Sequence, residues 1–201
     1  MKRKWLLSVL ALIPAALIPT AMSAQIAPDR APRAESTEPV YKYSAFGGFG
    51  YTSLNQVNQS RYGLIGAEFT VTRDWGKYFG LSADGAYYGT SFQSGNPGNP
   101  SVSVVLFGPE LHAALYGKVS GFFRGLIGGE HTGGTGQTPH ISFAGGIGGG
   151  LEYALSPRLR IRLSGDDIGS SFSVTNNTPQ LGYSPHLRFN ARASVGVVYR
   201  F

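Results

Sequence analysis

The chain has 201 residues, a formal net charge of +6, 29 glycines and no cysteine. The missing cysteine excludes a disulfide framework and thiol chemistry, and the length suits one folded domain. The basic residues form no clustered patch of the kind that binds nucleic acid, so no nucleic-acid partner is expected.

Lys2, Arg3 and Lys4 precede an apolar run from Trp5 to about Ala21, and small residues follow up to Ala24. That is the layout of a secretory signal peptide, here residues 1–24. Pro14 and Pro19 break the run, which weighs against a retained transmembrane helix. Without the three basic residues of this leader the net charge falls to +3. Residues 25–39 (QIAPDRAPRAESTEP) hold too few apolar side chains to fold and read as a flexible linker. The folded domain is therefore expected over residues 40–201.

Within it the dominant signal is period-two alternation, which places every second side chain on one face of a strand. Tyr41, Tyr43, Phe49 and Tyr51 align in the first strand, and Ile65, Ala67, Phe69 and Val71 oppose Glu68, Thr70 and Thr72 in the second. The third sets Leu81, Ala83 and Tyr87 against Ser82, Asp84 and Tyr88. The fourth sets Val105, Phe107 and Leu111 against Glu110 and His112, and the fifth Phe123 and Ile127 against Arg124 and Glu130. In the sixth, Ile141, Phe143, Ile147, Leu151 and Tyr153 face away from His140, Ser142, Ala144 and Glu152. The seventh opposes Leu159, Ile161 and Leu163 to Arg158, Arg160, Arg162, Ser164 and Asp166. The eighth opposes Leu187, Phe189, Ala191, Ala193, Val195, Val197, Tyr199 and Phe201 to a face carrying Arg188, Arg192 and Arg200. Each segment is long enough to supply the roughly nine to eleven residues that cross a bilayer at a tilt.

Connections alternate in length. Residues 73–77, 116–118 and 155–157 form tight turns, whereas 52–61, 90–101, 131–139 and 170–185 are longer and polar. The pattern predicts an all-β fold, a closed antiparallel transmembrane β-barrel of about eight strands in up-and-down order, with both termini on the short-turn side. A soluble barrel would turn its apolar face inward, and the aromatics decide against that. Tyr41, Tyr43, Tyr153, Tyr199 and Phe201 gather near one end and Tyr51, Phe143 and Phe189 near the other, as interfacial girdles do.

The opposite face then carries Glu68, Asp84, Glu110, Glu130, Glu152 and Asp166 with Arg124, Arg160, Arg162, Arg188, Arg192 and Arg200. An eight-stranded barrel is just wide enough for side chains to fill, and buried ions persist only when paired. The expected lumen content is an ion-pair network that plugs it.

The alternating strands, the leader and the ending Val197-Val198-Tyr199-Arg200-Phe201 resemble the small outer-membrane β-barrel superfamily that includes the transmembrane domain of outer membrane protein A. GGFGYTSL near the start and GGGLEYALSPRLRIRLSGDD before the last long loop are similar to matching portions of such barrels. The resemblance spans residues 40–201. It implies residence in the outer membrane of a Gram-negative envelope, contact with outer-membrane lipid, and residues 25–39 in the periplasm. It also implies that Tyr199 and Phe201 act as the signal read by the barrel assembly machinery. No peptidoglycan-binding domain is expected after the barrel, and so no cell-wall-anchoring role.

His140, Ser142 and Glu152 resemble the His-x-Ser and downstream Glu of lipid A deacylase barrels, but here they face the lumen, and Phe143 follows the Ser where that family has a polar residue. His112, His131, His140 and His186 lack metal-ligand spacing, and the glycine runs at 133–136 and 145–150 lack a Walker lysine. Neither catalysis nor a cofactor or metal is expected. The leading expectation is a structural or surface-interaction role, with an extracellular ligand met by the long loops and Phe92, Phe172 and Tyr183 as apolar contacts. A narrow, porin-like pore is the alternative, and a lipid A-modifying enzyme carries low weight.

Overall fold

A computed structural model describes residues 41–55, 61–91, 99–135, 139–174 and 181–201. The leader and linker expected at 1–24 and 25–39 lie outside the described residues. Eight strands follow in chain order: β1 Tyr43–Asn55, β2 Arg61–Trp75, β3 Phe79–Ser91, β4 Asn99–Tyr116, β5 Val119–Thr135, β6 His140–Ala154, β7 Leu159–Val174 and β8 Leu181–Arg200. Each pairs antiparallel with its chain neighbour, and β1 pairs with β8 to close the barrel. The closed eight-stranded all-β fold read from the sequence is the fold observed.

The strands run further than the sequence reading placed them. The segments expected as long loops, 52–61, 90–101, 131–139 and 170–185, are in part taken up by the ends of β1 to β5, β7 and β8. Polar side chains hid this, because a ladder above the bilayer needs no apolar outer face and so carries no alternation of hydrophobicity. Phe172 pairs with Tyr183 across β7 and β8 in backbone register. Both are strand residues rather than loop residues, and their side chains lie outside the described set, as Phe92 does entirely.

At the other end the turns are short. Gly117 has φ +55° at the first position of the two-residue link between β4 and β5, where primed hairpin turns need a positive φ. In the β6–β7 turn, the Leu155 and Ser156 N–H groups donate to the Leu159 carbonyl at 2.9 and 3.0 Å. The seam is pinned by reciprocal bonds between Tyr43 and Phe201, at 3.0 and 2.9 Å.

The outer wall is apolar. Phe49, Phe69, Val105, Phe107, Phe123, Ile127, Phe143, Ile147, Leu163, Phe189 and Val195 are all exposed on it. Water would reject such a continuous band, whereas hydrocarbon accepts it and demands only that the backbone be hydrogen-bonded internally, as closure ensures.

A curved wall crowds its inner surface. A Cβ on Gly196 would stand 2.3 Å from the Gly47 carbonyl oxygen, and one on Gly48 2.4 Å from that of Val195. These cross-strand partners, Gly48 and Gly196, also leave room for the Phe46 ring, which lies 2.7 and 2.8 Å from the same two Cβ positions. Outward-facing Gly47 has nothing within 4 Å.

Candidate functional site in the barrel lumen

Strand parity brings most of the expected charged residues to one interior, where they form two layers. Midway along the barrel, Arg124 from β5 and Arg192 from β8 reach the same three carboxylates. Arg124 lies 3.0 Å from Glu68, 3.4 Å from Asp84 and 2.8 Å from Asp166. Arg192 lies 2.7 Å from Asp84, 2.9 Å from Asp166 and 3.6 Å from Glu68. Five strands are thereby cross-linked through side chains. Thr70 donates to Asp84 at 2.9 Å, filling a lone pair the arginines leave.

The second layer is nearer the short-turn end. Arg162 contacts Glu152 at 2.6 Å and Glu110 at 3.1 Å, and Ser82 donates to the other Glu110 oxygen at 2.8 Å. Arg160, partly exposed, contacts Glu152 at 3.3 Å and donates to Ser120 at 2.8 Å. His112 stands 3.2 Å from Asp74 and 3.6 Å from Glu110. Two aromatic rings lie against the arginines of both layers. Phe122 is 4.2 Å from the Arg162 guanidinium carbon and 5.7 Å from that of Arg124, and Phe46 is 5.5 Å from Arg162. The quadrupole of a ring face attracts the cation while its edge excludes water, so each ring assists the desolvated pair beside it.

The outer half of the lumen is different. Leu54, Leu64, Ala86, Tyr88, Val102, Val104, Leu106, Leu126, Ala144 and Ile168 form a buried apolar cluster. Ion pairs thus fill the inner part of the described lumen, and an ordinary hydrophobic core fills the outer part. Glu130 is buried at 3% exposure in this outer half, with one carboxylate oxygen unpartnered. Neither Glu130 nor Arg188 joins an ion pair among the described residues. Arg200 lies at the short-turn end over the Tyr41 ring, 5.3 Å away.

The sequence reading placed Tyr88 and Ala144 on the lumen face but missed Phe46, Phe122, Leu126 and the other members of the apolar lumen set. Parity held the signal, since Phe122 and Leu126 share a face with Arg124. A second omission is Asp167, exposed on the outer wall. It pairs with Ile147 and Ala191, one step below the Gly169–Phe189 pair at the girdle. A carboxylate there faces the apolar band.

His140 and Ser142 lie near the outer end of β6 and Glu152 near its other end. Ten residues of strand span roughly 33 Å, so these three cannot form a contiguous nucleophile, base and acid. No group of His, Asp or Glu with metal-binding geometry occurs among the described residues.

No family model matches the sequence, and no curated protein matches it. Solved structures do. Neisserial surface protein A aligns with a TM-score of 0.62 at 9% identity, covering 80% of this chain and 97% of that one. Ail, the attachment invasion locus protein of Yersinia pestis, aligns at 0.52 and 15% identity, covering 81% and 100%. The same protein in complex with the heparin analogue sucrose octasulfate aligns at 0.50 and 14% identity, covering 79% and 97%. The likeness is one of fold: this chain has the architecture of the small eight-stranded outer-membrane barrels.

Proposed function

We propose that this chain is an integral outer-membrane protein whose barrel is a closed scaffold and whose outward hairpins meet extracellular ligands or surfaces. The observation that carries the reading is the filled lumen. Arg124 and Arg192 are fully buried, with side-chain exposures of 0%, and each holds carboxylates from other strands. A solute path along the axis would have to break those pairs and then cross the apolar cluster beyond them. The wall belongs to lipid, which leaves the outer hairpins as the free surface, and loops on rigid scaffolds commonly carry recognition. Ail, a neighbour in fold, is by its name an attachment protein and has been solved with a heparin analogue. Attachment to an anionic or glycan surface is the role this supports.

In the same reading residues 1–24 are the export signal, residues 25–39 the periplasmic linker, and Tyr199 and Phe201 the terminal aromatics engaged by the barrel assembly machinery. The test combines two measurements on the purified protein. Planar-bilayer recording should show no sustained conductance. Replacing residues 55–61, 91–99 and 174–181 by tight turns should preserve folding, because closure depends weakly on loop length, and should abolish surface adhesion. Large stable currents from the unaltered protein would overturn the closed scaffold in favour of a narrow pore.

A further inference from the structure

At the periplasmic end of the closing seam, cations and aromatic rings interleave on the outside of the barrel. Arg73, on the outward face of β2, has its guanidinium carbon 4.9 Å from the Trp75 ring and 5.9 Å from the Tyr43 ring. Tyr43 stacks on Phe201 at 5.9 Å, and Phe201 on Tyr199 at 6.1 Å. Arg200 shares the lumen-side parity of its partner Ser44 and reaches over the Tyr41 ring at the rim, and its backbone N–H donates to the Arg158 carbonyl at 2.8 Å, which brings the β6–β7 turn to the same corner. Lys42 and Arg158 are exposed there. The acidic side chains at this end, Asp74 and Glu152, turn into the lumen, where they meet His112, Arg160 and Arg162. Among the described residues, the outward side chains at this corner carry positive charge alone.

Each element has a physical reason to sit at a headgroup. Tyr and Trp rings prefer the membrane interface, with one part in hydrocarbon and one in water. A guanidinium laid against such rings keeps its edge of N–H donors free, and that edge matches the oxygens of a phosphate. Arg73, Trp75, Tyr43 and Phe201 lie on the wall that faces acyl chains, so the anion they suit is one carried by a lipid.

We propose that this corner, formed by β1, β2, β8 and the β6–β7 turn, binds the phosphate of an anionic phospholipid of the phosphatidylglycerol class in the periplasmic leaflet. The proposal rests on the membrane reading above, and its test separates the two. Trp75 is half-exposed inside the site, and Trp5 is the other tryptophan of the chain, so the full chain carrying Trp5→Phe reports from the site alone. It is folded into vesicles containing either acyl-brominated phosphatidylglycerol or acyl-brominated phosphatidylcholine at equal mole fraction. Trp75 quenching then gives the relative occupancy of the two lipids. A preference of about fivefold for the anionic lipid is expected from a single well-placed cation, and more from several acting together. Arg73→Gln with Arg158→Gln, confirmed as folded by its gel mobility before and after heating, should reduce the preference to near unity. Equal quenching of the unaltered site by both lipids would overturn the proposal while leaving the barrel in its membrane. A preference surviving both substitutions would overturn it as well. Absence of quenching by either lipid would overturn the membrane reading itself.

Discussion

Replacing Arg192 by alanine removes contacts at 2.7 Å to Asp84, 2.9 Å to Asp166 and 3.6 Å to Glu68, from a position where neither the arginine nor its partners reach water. Removing one member of a buried pair typically destabilises by about 3 to 5 kcal/mol, mostly because the surviving charge is left desolvated. Arg124 still reaches all three carboxylates, which places the expected loss near the lower end, about 3 kcal/mol. Arg160→Ala is the internal control. Its side chain is 19% exposed, its single carboxylate contact is at 3.3 Å, and Glu152 keeps Arg162 at 2.6 Å. Solvent screening limits that loss to less than about 1 kcal/mol. Urea unfolding in phosphatidylcholine vesicles, followed by Trp75 fluorescence in the Trp5→Phe background, measures both. Adding Asp166→Asn to Arg192→Ala should recover part of the loss, with a coupling of about 0.5 to 3 kcal/mol. Equal midpoints for Arg192→Ala and Arg160→Ala, at equal slopes, would refute the claim that the middle layer is desolvated and cohesive.

Further outcomes follow from the wall and the seam. Asp167→Leu should stabilise the barrel in the same unfolding assay, since an acidic side chain on the lipid face is unfavourable below the girdle; a loss of stability would mean that Asp167 holds a partner in the membrane. Gly196→Ala should impair folding yield because its new Cβ meets backbone at 2.3 Å, whereas Gly47→Ala, with open space around it, should fold normally. Similar yields for the two would contradict the crowding of the inner surface. Deleting Phe201 should lower outer-membrane yield and leave precursor in the periplasm, and normal insertion at native expression would count against its role in assembly.

Strand number, antiparallel order and the face of most strand residues were legible because alternation is a local property; Arg158, expected on the lumen face, instead lies exposed in the β6–β7 turn. Leu159, Ile161 and Leu163 against Arg160, Arg162 and Ser164 need only their own spacing to be read. Which charges meet is not local. Arg124 contacts Glu68, 56 residues away, and Arg192 contacts Asp84, 108 residues away. Such partners depend on the stagger of the strands around the barrel, and no short segment encodes that. The apolar outer half was not legible for a different reason: Leu54, Leu64, Val102 and Leu126 lie in polar or glycine-rich surroundings that carry no clear alternation of hydrophobicity. Asp167 was hidden beside Asp166, the adjacent acid that points inward.

The seam has a kinetic consequence. Seven of the eight strand pairings join chain neighbours and can zip from their hairpins, but the β1–β8 pairing joins Ser44 to Arg200. Closing that last gap requires the ends of the domain to meet, a step slowed by the entropy of a long chain. Arg192 sits on β8 and its carboxylates on β2, β3 and β7, so the middle layer straddles the gap. Until the gap closes, those charges stay hydrated and both strand edges remain open to pairing with other chains. Dehydration of the charges and sealing of the edges therefore coincide in one late event. A nascent barrel has little to hold its two edges together beforehand, and it is in that interval that a folding catalyst or a misplaced neighbour would exert its greatest influence.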